Sequence, residues 1–274
     1  CMRLFDGLSH KELAEWHKQL ARLSSALRSE SFCSVLVETL GKLINFQGVV
    51  IITYKNNHRP ISIYDSYLPS EHKQVVVKYL DGVYALDPFY TALNRHIAPG
   101  VYRLKEMAPD SFEQSDYYLQ YYRGLNNIDD EVGLFIDLPD DVVMIISLAR
   151  ISEMESLTRS ERNVLNSIFP LIRSLVREFW ALQSVKFVSG ADDADPVEKA
   201  FKTFGSGTLT ERELEIISLI LQGHSSKSVA SSLGITPGTV KVHRKNIYTR
   251  LNVSTQSQLF SLFLNHLAME ASME

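Results

Sequence analysis

Residues 208–253 read TLTERELEIISLILQGHSSKSVASSLGITPGTVKVHRKNIYTRLNV, and three helix starts with their stops are written into them. Thr210 with Glu213 three positions on forms a capping box: the hydroxyl accepts from the Glu213 N–H while the carboxylate reaches back. Glu211 and Glu213 also suit the positive end of a helix. Leu214, Ile217 and Leu221 make its apolar stripe, and Gly223 stands where a left-handed residue ends it. A short second helix follows, capped by Ser225 or Ser226, with Val229, Ala230 and Leu233 inward and Gly234 as its stop. Thr236-Pro237 then supplies a cap and a proline at the first helical position, opening a helix Pro237–Leu251 with Val240, Ile247 and Leu251 on its apolar side. Three short helices with a glycine turn before the third describe a helix-turn-helix, whose last helix enters the major groove of double-stranded DNA.

Four blocks carry a more specific resemblance. Leu209-Thr-Glu-Arg-Glu, Gly223-His-Ser-Ser-Lys-Ser-Val-Ala-Ser-Ser-Leu-Gly-Ile, Thr239-Val-Lys-Val-His and Asn246-Ile-Tyr-Thr-Arg-Leu-Asn-Val are similar, in order and spacing, to the LuxR-type (LuxR/FixJ superfamily) C-terminal domain. The resemblance implies a transcriptional regulator and an all-α, four-helix domain over 208–274. Free N–H groups at the start of the third helix point to a phosphate site, so Thr236 and Thr239 are the expected positioning contacts. Lys241, Val242 and Lys245 lie opposite the apolar stripe and resemble the family's base-reading positions; lysine donates to guanine and valine touches a thymine methyl. His243 reads either as a phosphate contact or as a partly buried structural residue, and Lys227 either as a phosphate contact or as a solvated helix face. Arg212, Arg244 and Arg250 read as solvated or structural. A final helix near Thr255–Leu267, carrying Leu259, Leu262, Phe263 and His266, pairs two copies in the family or closes the domain's own core.

Upstream, Ser189-Gly190-Ala191-Asp192-Asp193-Ala194-Asp195-Pro196 is poor in apolar residues and rich in breakers, which places a linker over 188–207 and a first domain over 1–187. In that domain Leu8, Leu13, Trp16, Leu20, Leu23 and Leu27 mark an amphipathic helix, with a second over Phe32–Ile44. Val49–Lys55 and Pro60–Ser66 read as a hairpin, and Val132–Leu138 with Val142–Arg150 as another pair of strands. Glu71–Asp81, Pro88–Arg95 and Tyr117–Leu125 look helical between them, and Ala98-Pro99-Gly100 reads as a turn. Thr158 with Glu161 caps a long helix running past Trp180, which Pro170 should kink or split. Strand pairs flanking helices give an α+β class: an N-terminal α-β-α sandwich on an antiparallel sheet, PAS- or GAF-like, with the C-terminal helical domain.

The 274 residues carry a net charge of -4, unevenly spread. Between Gly205 and Leu267 six basic residues meet three acidic ones, a local +3 that leaves -7 elsewhere. A confined positive footprint on an acidic carrier fits one nucleic-acid face. Apolar runs such as Val49–Thr53 and Val142–Ile146 are far short of the ~20 residues of a membrane span, and no basic-then-apolar leader is seen, so a cytoplasmic protein is expected. Cys1, which precedes Met2, is given no role; with Cys33 as the other cysteine, no disulfide framework, zinc site or cofactor is expected. No phosphate loop, serine elbow or metal-spaced histidine set is found, so catalysis is not expected.

The opening of two helices and a hairpin does not resemble a phosphoacceptor receiver. Tyr79-Leu-Asp-Gly-Val-Tyr84-Ala-Leu-Asp87-Pro88 is distantly similar to the Tyr-x4-Tyr-x3-Asp-Pro segment of acyl-homoserine-lactone sensing domains. It is one residue shorter between Tyr84 and Asp87, and Val75 stands where that family has tryptophan. A small-molecule effector pocket lined by Tyr79, Tyr84, Asp87 and Tyr102 is one expectation. Simple packing, with Asp87 capping the helix begun at Pro88, is the other, and Tyr117, Tyr118, Tyr121 and Tyr122 either line that pocket or cover its edge. A sensor that pairs two chains as a homodimer is expected, with a ligand-independent interaction module built on helices 9–29 and 158–186 as the alternative.

Overall fold

Alternation along the strands decides how the first domain is layered. On the strand Val142–Ile151, Met144, Ile146 and Leu148 point to one side and Ile145, Ser147 and Ala149 to the other, the period-two geometry of a sheet buried on both faces. The computed structural model describes residues 9–56, 58–124, 127–188 and 196–272. The first two helices are α1 (His10–Ala26) and α2 (Phe32–Gly41), followed by strands β1 (Gly48–Lys55) and β2 (Ile61–Asp65). Helix α3 starts at Pro69–His72, winds as a π-helix over Lys73–Val77 and ends with Lys78–Leu80. Then come α4 (Pro88–Leu93), β3 (Gly100–Arg103), α5 (Leu104–Met107), a π-helical turn at Tyr118–Arg123, β4 (Ile128–Asp137), β5 (Val142–Ile151) and α6 (Arg159–Gln183).

The five strands form one antiparallel sheet in the order β2-β1-β5-β4-β3. One face, with Ile51, Leu134 and Ile146, is covered by α1, α2 and α6 through Leu23, Leu36, Ile172 and Val176. Phe32 of α2 stacks on Phe179 of α6 with ring centroids 4.5 Å apart. The opposite face, with Ile52, Phe135 and Ala149, is covered by Tyr79, Tyr84, Phe89 and the tyrosines of the Tyr118–Arg123 turn. The α-β-α sandwich follows.

Several boundaries differ from the sequence reading. Helix α6 is unbroken through Pro170: Leu165 and Ile168 before it and Ile172 and Val176 after it are all buried on the sheet, and this packing outweighs the roughly 3 kcal/mol of an interior proline. Strand β3 occupies what reads as the end of a turn, and β4 begins at Ile128, four residues before the expected start. Of the stretch expected as a linker, 189–195 lie outside the described residues. Pro196–Thr203 form helix α7, whose Val197 and Ala200, with the following Phe204, are buried against the C-terminal helices. Leu8, Asn57 and Leu125, which entered the expected helices and hairpin turn, also lie outside the described residues.

The C-terminal part holds α8 (Glu211–Leu221), α9 (Ser226–Leu233), α10 (Pro237–Arg250) and α11 (Gln256–Ser272). Every cap read from the sequence is made. Thr210 accepts from Glu213 N, Ser225 from Ser228 N and Thr236 from Thr239 N, while Gly234 is left-handed at φ 65°. Gly223, at φ 94°, ends α8 and meets the first domain: its carbonyl accepts from Ser111 N at 3.1 Å. A Cβ there would lie 2.9 Å from the Phe112 Cα, so the close approach requires glycine. Beside it, Ser225 N donates to the Asp110 carboxylate at 2.9 Å, and Gln120 donates to Ser257 at 3.1 Å.

Candidate DNA interface and effector cavity

On α10 the buried residues are Val240 and Ile247, and the face turned away from them is open. Lys241, Lys245 and Thr239 are exposed and Val242 is 59% exposed. Among the described residues neither lysine makes an ion pair, nor does the exposed Lys227 of α9. The arginines differ. Arg212 binds Glu215 and the Leu233 carbonyl, and Arg250 binds Glu213 at 2.8 Å. Arg244 lies over the Tyr248 ring and reaches Gln256. The three arginines thus hold the domain together, and the three lysines remain as uncommitted donors. Thr236 uses its hydroxyl on Thr239, fixing the N-terminus of α10. His243 is half-buried, with Nδ1 buried and without a hydrogen-bond partner among the described residues.

In the first domain an interior cavity of about 50 Å³ lies between the sheet and α3. Val50, Ile52, Ile145 and Ala149 form its sheet side and Val75, Val76 and Tyr79 its helix side; the half-buried Tyr67 and Val50 mark the side nearer solvent. Two carboxylates line it. Asp87 accepts from Phe89 N at 2.7 Å, capping α4, and from the Tyr79 hydroxyl at 2.9 Å, which in turn lies 2.8 Å from the Tyr54 hydroxyl. Glu131 accepts from the Tyr122 hydroxyl. Tyr117 lies close enough to Asp87 to favour its charged form, yet its own hydroxyl finds no partner at hydrogen-bond geometry.

Of the four residues expected in a pocket, Tyr79 and Asp87 line this cavity. Tyr84 does not: it is fully buried behind Tyr79 and packs edge-on against Tyr90. Tyr102 does not either; it stands on the edge strand β3, donates to the Ala98 carbonyl and packs on Phe135. Tyr121 and Tyr122 line the cavity, and Tyr117 and Tyr118 do not. Glu131, Ser147, Tyr54 and Tyr67 line it as well, outside the motif that points to Tyr79 and Asp87. Period two counted back from Phe135 through Gly133 puts Glu131 on the tyrosine-covered face, so the signal was present once β4 is extended to Ile128.

Burial is the main cause that pushes both carboxyls up, Asp87 to about 6 and Glu131 to about 7, the second aided by the charge of the first. The Phe89 N–H and the tyrosine hydroxyls oppose this only in part. An acid whose proton is held more tightly in the folded state contributes stability fully present below its unfolded value and lost as pH rises through the folded one. Wild type is therefore expected to lose stability relative to Glu131→Gln between pH 4.5 and about 7, by on the order of a few kcal/mol at most. Urea unfolding across that range reads it, and parallel profiles for the two proteins would count against a buried protonated Glu131.

A tyrosine-rich α-β-α sandwich followed by a helix-turn-helix with a free lysine face defines a DNA-binding regulator. Residues 207–263 match the family described as bacterial regulatory proteins, luxR family. An HTH-type transcriptional regulator from the exeN 3' region of Aeromonas salmonicida is 33% identical over 187 residues, covering 66% of this chain and 94% of that protein. The monoamine regulon transcriptional regulator of Klebsiella aerogenes is 26% identical over 243 residues, covering 88% and 94%. The VqsR LBD domain of Pseudomonas aeruginosa superposes with a TM-score of 0.54 at 21% identity, over 61% of this chain and 98% of that one, and shares the fold of the first domain. The chain belongs to the LuxR-type family of helix-turn-helix transcriptional regulators. It is a regulator of transcription rather than an enzyme, and no helix among the described residues is long and apolar enough to cross a membrane.

Proposed function

We propose that this regulator is a homodimer whose first domain binds a small molecule and whose α10 helices read two half-sites on DNA. The observation that carries the sensor reading is the interior cavity with its two tyrosine-bound carboxylates. Groups that cost free energy to bury without a counter-ion are the polar anchors expected of a ligand site, and a pure interaction module has no use for them. The DNA contacts are Lys241, Val242 and Lys245 on base edges, with Thr236, Thr239 and Lys227 on phosphate. His243 joins them through its other ring nitrogen. The sensing domain spans 1–187, and the DNA-binding domain takes in α7 ahead of 208.

Dimerisation is supported by apolar residues left exposed on two helices. Leu171 and Leu182, three turns apart, share one face of α6, and Leu262 and Met269, two turns apart, share one face of α11. Joining two modules raises affinity through effective concentration, since one recognition helix contacts few bases. Sedimentation equilibrium on and off a DNA fragment selected from a genomic pool tests this. A dimer that loses operator affinity with Leu171→Glu is expected; a monomer with full operator affinity would sink the paired reading.

A further inference from the structure

Four acidic residues are buried among the described residues, and they fall into two pairs of opposite character. Asp130 is bound by Arg103 at 2.8 Å and Glu213 by Arg250 at 2.8 Å, so each has its cation. Asp87 and Glu131 have none: hydroxyls of Tyr79 and Tyr117 and the Phe89 N–H surround the first, those of Tyr122 and Ser147 the second, and no arginine, lysine or histidine lines the cavity they share. Burying carboxylates without a counter-charge is costly unless they stay protonated or receive a cation. The walls around them are the aromatic rings of Tyr54, Tyr67, Tyr79 and Tyr121. An aromatic ring that presents its face to a cation attracts it, more strongly when water is excluded.

We propose that the cavity binds a small organic ammonium ion, its nitrogen between Asp87 and Glu131 and its short apolar arm along Val50, Ile52 and Ile145. This rests on the sensor reading above and names the chemistry of its effector. Size limits the guest. A cavity of ~150 Å³ holds benzene, so about 50 Å³ favours a primary amine of very few heavy atoms over a bulky guest. Charge limits it too, because an anion would meet two acids and no donor of positive charge.

Thermal unfolding of the full chain with propylamine, ethylamine and ethanolamine, against propanol, propionamide, propionate and N-butanoyl-homoserine lactone, tests the assignment. At about ten times its Kd a bound amine is expected to raise Tm by roughly 3 °C or more, with the uncharged and anionic compounds leaving it within about half a degree. By calorimetric titration, Glu131→Gln and Asp87→Asn should each weaken amine binding about tenfold or more. Both variants keep the shape of the acid and an oxygen for its tyrosine. Stabilisation by the neutral compounds alone would overturn the ammonium assignment and leave a sensor standing. An amine shift that survives in both variants would place the binding elsewhere and overturn it as well. If no compound shifts Tm while the protein still selects its DNA fragment, the ammonium proposal and the small-molecule sensor fail together.

Discussion

Replacing Lys241 or Lys245 by alanine is expected to cost about 1–3 kcal/mol of operator binding each, roughly 5- to 150-fold, and to relax the base preference at the contacted positions. Both side chains stand on the open face of α10, held rigidly by Val240 and Ile247 beneath and by the Thr236 cap at its start. Neither has an acid to leave behind when it turns to DNA. Lys227→Ala is the contrasting case: a phosphate contact should weaken all sequences alike and lower the salt slope by about one. Fluorescence anisotropy on selected and scrambled duplexes over a range of salt separates the two behaviours. An unchanged base preference in Lys241→Ala and Lys245→Ala would remove α10 from the role of reader.

A second large effect lies far from DNA. Glu161→Ala is expected to destabilise the first domain by about 3–5 kcal/mol, because it strands a buried arginine. The Arg150 side chain is only 6% exposed and holds Glu161 at 2.6 Å, with its other nitrogen on the Glu155 carbonyl. The same carboxylate closes the capping box with Thr158 at the start of α6. Burial alone would raise the Glu161 carboxyl, but the Arg150 guanidinium and the Thr158 hydroxyl and N–H outweigh it and hold it at about 2. Its contribution is therefore present above the unfolded value of 4.5 and lost as pH falls towards 2. Denaturant midpoints give the number, with Thr158→Ala as the control that removes the cap alone, about 1 kcal/mol. A Glu161→Ala midpoint no lower than that of the control would mean that Arg150 finds another partner.

The two regions differ in how openly the sequence declares them. In the C-terminal domain each decision sits within a few residues: Thr210 with Glu213, Thr236 with Pro237, and glycine at 223 and 234. Such signals are local, so the helices and their open lysine face could be read directly. Pro170 misleads because its local penalty is overridden by contacts with a sheet that the local sequence does not mention. Glu131 is harder still. It follows Asp129 and Asp130 and resembles a solvated acidic turn, yet pairing with Ala149 across β5 turns it towards Tyr122. Tyr84 shows the converse, since a motif resemblance names it but the burial of Val83–Leu86 turns its ring into packing. Helix α7 hides because its Val197 and Ala200, with Phe204 just after it, find their partners in the C-terminal helices many residues later.

One hydrophobic cluster runs without interruption from Ile52 and Tyr79, beside the cavity, through Phe112 to Ile220, Val240 and Phe263 in the DNA-binding domain. The two halves therefore meet through one packed core among the described residues. They share cooperativity: disordering the tyrosine-covered face of the sheet removes part of the seat on which the helix-turn-helix rests. Were a guest to bind in the cavity as proposed, its free energy would be distributed over both halves, and the domain that reads DNA would be stiffened by a molecule it never touches.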